Sequence, residues 1–267
     1  MERVEGAQYI IRQMRGWPVV AAAGVLALAV TASCSSPLGP KYEYEEQVYL
    51  SVDGSATVVI DASLPALVAL RGLAIDPQPR TRVDRTGIRQ LFEKAGCKDV
   101  FVGQPWVRQS RHFVQVRVKT TDIKSLGSCG PLAWSRYTFQ KDDAAGTIRY
   151  LQQVGAAAAG DLKKVNWDGT ELVGFKLHLP SRISYHNVRK LGTGEAGQIE
   201  RGNILTYEQR LTDRRSGVPI DMEVHMGASS ILFQTLWLFA AAAAAAFTVM
   251  AVLIWWTVRH GKKRVRA

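Results

Sequence analysis

The chain has 267 residues, 47% of them apolar, and a formal charge of +11 at neutral pH. That length accommodates one medium domain plus membrane segments. Five of the positive charges, Arg259, Lys262, Lys263, Arg264 and Arg266, crowd the C-terminus, so the middle keeps only about +5, which with no nucleic-acid motif argues against a nucleic-acid partner.

At the start, Arg12 and Arg15 precede the apolar run Trp17 to Ala32, followed by Ser33 and Cys34. A basic region, an apolar region and small residues before a cut predict a signal peptide over residues 1–34. The run is short for a span, so an uncleaved signal anchor is the lesser alternative. Thr31-Ala32-Ser33-Cys34 resembles the bacterial lipobox, with threonine where leucine is usual, which makes Cys34 the lipidation candidate. With Cys34 consumed, Cys97 and Cys129 remain as an even pair in an oxidising compartment. They are either a disulfide or two separate buried thiols.

Residues 35–41, rich in serine, proline and glycine, form a linker. The domain, 42–226, then opens on a hairpin: Tyr42, Tyr44, Val48, Leu50 and Val52 share one parity, Asp53-Gly54 supplies a two-residue turn, and Ala56 to Ile60 returns. Ser63 caps a short helix through Leu67 and Leu70, with Pro65 in its first turn and Gly72 at its end. Asp84 or Thr86 starts a second helix, where Ile88, Leu91, Phe92 and Ala95 keep helical spacing until Gly96, and this helix is expected to lie on a sheet. Strand signals follow at Val100 to Val102, Phe113 to Thr120, Trp134 to Gln140 and Thr147 to Val154, with a helical turn near Asp122 to Leu126. Gly155 to Gly160 encloses four alanines and is expected to be a loop or a helical turn. Val173 to Leu179, Ile204 to Leu211 and Ile220 to Met226 complete an α+β domain with a mostly antiparallel sheet and two or three short helices.

Ile231 to Val258 carries no charged residue and is long enough to cross a hydrocarbon core of about 30 Å. Trp237 at one end and Trp255 with Trp256 at the other are placed as interface anchors, joined by Arg259, Lys262 and Lys263. The basic tail, 259–267, marks the cytoplasmic side, which puts the domain outside a bacterial cytoplasmic membrane on a single span once the signal is removed. Only Gly227 to Ser230 separate the last strand from the span, so the domain stands close to the bilayer. With Cys34 lipidated, both ends of the domain are expected to face it.

No Gly-x-Ser-x-Gly elbow, phosphate loop, His-Glu-x-x-His or C-x-x-C occurs, and no carboxylate or cysteine stands at metal-ligand spacing beside His178 or His186. A catalytic role, a metal and a cofactor are therefore not expected, although an envelope hydrolase stays open because sites assemble from distant residues. The functional candidates are Arg80, Arg82, Arg85, Arg89, Arg108 and Arg111 interleaved with Trp106. Charge and an amphipathic ring together suit anionic headgroups, and solubility alone is the plainer explanation.

The segments Asp53-Gly54-Ser55, Leu179 to Asn187 (LPSRISYHN) and Gly202 to Glu208 (GNILTYE), with the layout around them, resemble the LppM-like bacterial envelope domain, loosely over residues 42 to 226. The resemblance implies a membrane-anchored module that binds lipid or glycolipid and catalyses nothing. The chain departs from it in its lipobox and in the basic stretch Arg71 to Arg111. Two non-enzymatic roles follow, a module binding a lipid-like ligand or a membrane partner, and an assembly subunit whose span packs through Ala240 to Ala246. Intact mass of the membrane-extracted protein tests the placement. A chain starting at lipidated Cys34 is expected, and a mass beginning at Met1 would make it a two-pass protein.

Overall fold

The computed structural model describes residues 42–78, 80–158, 165 and 167–264. The signal peptide, Cys34, the linker and the last three residues lie outside the described residues. Alternation starts the fold. In β1 (Tyr42–Leu50), Tyr44, Glu46, Val48 and Leu50 all point inward, and β2 (Ala56–Ser63) pairs with it antiparallel. The turn is wider than the two residues expected. Ser51 N still donates to Ser55 O, and the Asp53 carboxylate accepts from the Ser55 amide and hydroxyl, so three residues turn, with Gly54 at φ +85°.

Ser63 caps α1 (Leu64–Arg71) by accepting from Ala66 N, and Gly72, at φ +62°, ends it. Asp84 caps α2 (Arg85–Lys94), which buries Ile88 and Phe92. β3 (Val100–Val102) and β4 (Trp106–Arg108) both pair with β5 (Arg111–Thr120). Two 3-10 turns, Ile123–Ser128 and Gly130–Leu132, lead to β6 (Ser135–Asp142) and β7 (Thr147–Val154). Then come β8 (Leu172–His178), β9 (Ile183–His186), β10 (Ile204–Arg210), α3 (Leu211–Arg215), β11 (Ile220–Gly227) and α4 (Ile231–Arg264). β4, β9 and α3 are not expected from the sequence.

Two sheets result, one of seven strands in the order β10-β8-β1-β2-β5-β3 with β4 beside β5, the other β6-β7-β11-β9. Pairing is antiparallel except for β1 with β8, a contact between segments about 130 residues apart. Tyr44, Trp134 and Phe175 meet between the sheets, with Tyr44 and Trp134 edge to face at 5.5 Å. At their centre is Glu46, fully buried. One of its oxygens accepts from Tyr44 Oη (2.9 Å) and Arg71 Nη2 (3.2 Å), the other from Gln152 Nε2 (3.0 Å) and Tyr137 Oη (3.3 Å). Burial pushes the phenols of Tyr44, Tyr137 and Tyr150 up, so they stay neutral donors.

The stretch Thr235–Thr257 within α4 is 23 residues with mean hydropathy 2.3, a helix long and apolar enough to cross a membrane. Trp237, Trp255 and Trp256 are each more than half exposed, the Arg259 guanidinium lies 5.0 Å above the Trp255 ring, and Lys262 and Lys263 continue the helix. The four residues before it are not a free stalk. Gly227 N donates to Arg182 O, Ala228 N to Gly146 O, the buried Ser181 hydroxyl to Ser229 O, and Ile231 N to Pro180 O. α4 therefore begins at the His178 end of β8. The chain enters β1 at Tyr42, which pairs with Leu172 at the other end, about 20 Å away at 3.3 Å per residue. The parallel β1/β8 pairing thus sets the entry into β1 and the start of α4 at opposite ends of β8, while the linker and Cys34, on which the expectation that both ends face the bilayer depends, lie outside the described residues.

Cys97 and Cys129 are joined by a disulfide with Cα atoms 4.5 Å apart, tying the end of α2 to the turn before β6. The loop it closes is worth about 3 to 4 kcal/mol by chain entropy. Urea unfolding of Cys97→Ser is expected to show a loss of that size, and reductant is expected to lower the wild-type midpoint but not the variant's.

Candidate functional site

The segment Ala74 to Asp84, between α1 and α2, has a recess on each side of it. Leu64, Ala74, Ile75, Val83, Ile88 and Leu91 form the apolar wall of the first, a space of about 390 Å³, whose polar lining is mixed in charge: Arg82 and Lys94 with Asp76 and Asp84, and Thr81 and Gln90. It exists because α2 offers Ile88 and Leu91 one turn apart while Gly87 at its start keeps the wall low. The second, of about 430 Å³, is lined by Arg82, Arg85, Gln104, Pro105, Val107 and His112. Arg82 and Val83 belong to both. An apolar slot thus adjoins a basic one, each within the usual size of a small-molecule site, about 300–1,000 Å³. A larger space, about 740 Å³, opens beside the disulfide. Its wall is mostly hydroxyls and lysines, among them Ser51, Ser55, Thr57, Thr120, Lys98 and Lys119, which water satisfies as well as a ligand would.

The arginines proposed from sequence are divided by the fold. Arg82 and Arg85 come together at the second recess, where Arg85 also donates twice to Val102 O, at 2.7 and 3.2 Å. Arg80 is exposed in the turn before them, and Arg89 pairs with Glu93 one helical turn on. Arg108 lies 4.1 Å over the Phe113 ring, on which Trp106 also stacks, and donates to Tyr42 O; burial lowers its pKa from the ordinary value. Arg111 turns inward to Glu43 at 2.8 Å, both side chains largely buried. The set does not form one open face. All of β4 and the Tyr42 end of β1 lie at the sheet end away from the first residue of the span.

The histidines are dispersed as well. His178 stacks flat on Tyr49 at 4.0 Å and faces Gln47 Oε1, and His186 lies near Arg189. The carboxylate partner goes instead to His225, whose Nε2 is 2.9 Å from Glu223 Oε1, an oxygen also held by Arg149. Hydrogen bonds from His225 and Arg149 hold Glu223 below the usual carboxylate range. Among the described residues no three histidine, cysteine or acidic groups cluster for a metal. Sequence reasoning missed Glu46 and Arg214, both fully buried. Period-two spacing from Tyr44 and Val48 is the signal that places Glu46 inside.

Fold and site together define an α+β protein with one C-terminal helix long and apolar enough to cross a membrane and a two-part apolar and basic recess. No protein-family model matches the chain, and no curated protein matches it. Among solved structures it is similar to the folded domain of LppM from Mycobacterium tuberculosis determined by NMR, at 11% identity and a TM-score of 0.37, covering 74% of this chain and 96% of that one. That is the family the sequence resembles.

Burial lowers the His178 pKa, with Lys176 adding to the effect, so the unfolded chain binds the proton first. Stability is then complete above about pH 7 and is lost as pH falls through the ordinary histidine value of about 6.5. Urea midpoints measured from pH 8 to 5 are expected to fall, and His178→Gln to flatten the decline, leaving the part that belongs to His186, whose pKa is lowered in the same sense.

Proposed function

We propose that this is a non-catalytic, membrane-anchored bacterial envelope protein whose domain binds an amphiphilic, lipid- or glycolipid-like ligand outside the cytoplasmic membrane. The observation that carries the reading is the adjoining pair of recesses at Arg82-Val83. One is walled by Ile75, Ile88 and Leu91 and suits an acyl chain, while the other brings Arg82 and Arg85 to an anionic head. Arg82 and Arg85 thus serve the ligand's head rather than the bilayer surface. In this reading the N-terminal segment is a cleaved signal with Cys34 as lipid acceptor, and the basic tail faces the cytoplasm.

The second role, assembly through the span, is supported by one observation: the apolar window of α4 is not covered by the domain. It predicts that bulky residues at Ala242 and Ala245 remove a membrane protein partner while the domain stays folded.

Leu91 is half-buried and lines the recess, so Leu91→Gln makes the slot polar without opening the core. Native mass spectrometry of the full chain, purified from membranes and incubated with phosphatidylglycerol, is expected to show one retained lipid in the wild type and at least a tenfold loss of occupancy in the variant. Equal retention by both would place the lipid on the span and remove the recess from consideration.

A further inference from the structure

Two arginines, Arg71 and Arg214, stand in the interior beside the Trp134 ring. Arg71, the last residue of α1, lies with its guanidinium carbon 2.8 Å from the centre of the Trp134 ring and bonds Tyr44 Oη and Glu46. Arg214, from α3, is fully buried, lies 5.3 Å from the same ring, and gives Nη2 to Gly155 O at 2.7 Å. The two guanidinium carbons are therefore no more than about 8 Å apart, and Arg71 bears directly on Arg214: burial and this neighbour lower its pKa to about 10, which leaves it charged at neutral pH.

Glu46 does not balance both. Its two oxygens are engaged by Tyr44, Arg71, Tyr137 and Gln152, and none of these bonds reaches Arg214. Among the described residues, Arg71 Nη1, Arg214 Nε, Arg214 Nη1 and Trp134 Nε1 have no hydrogen-bond partner, and all four are shut off from solvent. Buried donors are nearly always satisfied, and a buried charge without a counter-charge is among the costliest features a fold can carry. Four orphaned donors around one ring, with no carboxylate paired to Arg214 among the described residues, are the complement of an anion. The backbone of Gly155 to Ala158 closes over this corner, with Gly155 N on Trp134 O and Ala158 N on Leu70 O, and brings nothing larger than methyl groups to it.

We propose that Arg71, Arg214 and Trp134 form a buried binding site for a small inorganic anion, which bridges the two guanidinium groups and completes the core between the sheets. The site is separate from the recesses at Arg82. Its occupant is a halide or a compact oxyanion, because only a group that accepts from several directions at once and needs no exit for a chain fits a closed corner of donors.

The test is thermal unfolding of the full chain in detergent at constant ionic strength, with gluconate, too bulky for the site, replaced stepwise by chloride or by phosphate. The midpoint is expected to rise with the logarithm of the concentration of one of them, by on the order of 5 °C at a hundredfold excess over Kd. The anion with the larger shift identifies the class. Arg214→Met, which removes the Arg214 charge and two of the four orphaned donors, is expected to abolish the dependence, whereas Arg89→Gln on the open face of α2 keeps it. Should Arg214→Met not fold, bromide added to wild-type crystals is expected to give an anomalous peak between Arg71 and Arg214. A midpoint indifferent to both anions, a dependence that survives Arg214→Met, or a bromide map empty at this corner would overturn the proposal.

Discussion

The carboxylate of Glu46 is the point on which the two sheets depend. It comes from β1 of the larger sheet and is met by Arg71 at the end of α1 and by Tyr137 and Gln152 from β6 and β7 of the smaller one. A buried pair of this kind adds little net stability, because desolvation offsets most of the attraction, but it is intolerant of any arrangement that leaves a member alone. Sheet order, the length of α1 and the approach of β6 and β7 must all deliver their groups to one place. Apolar side chains such as Val48, Leu177 and Val224 supply the bulk of the burial, and the polar centre supplies its registration.

Much of this was legible in the sequence wherever the determinant is local. Ser63 with Pro65 and Gly72 sets both ends of α1, Asp84 and Gly96 bracket α2, and a charge-free stretch ending in tryptophans and basic residues marks the span. Alternation found most of the long strands. What escaped is non-local. The parallel contact of β1 with β8 leaves no trace in either strand, and β4 and β9 are held by their neighbours rather than by their own pattern. The arginine group illustrates the same limit, since Arg108 and Arg111 look equivalent to Arg82 in sequence. One rests on Phe113, one turns inward to Glu43, and Arg82 alone belongs to both recesses. Arg214, embedded in Leu-Thr-Asp-Arg-Arg beside an exposed arginine, gave no sign that it would be buried.

The parallel pairing also changes how the domain relates to its anchor. Because β1 begins where β8 begins, Tyr42 and Trp106 gather at one end of the sheet, and Pro180 with the start of α4 at the other. The recess at Arg82 and Val107 thus lies toward the end of the sheet away from the first residue of α4.

The bonded junction before α4 has a mechanical meaning. With Gly227, Ala228, Ser229 and Ile231 each fastened to Gly146 or to Pro180-Ser181-Arg182, there is no swivel between helix and sheet. Torsion is shared: a turn of the helix about its own axis carries the domain with it. Whatever grips α4 thereby sets the compass bearing of the domain.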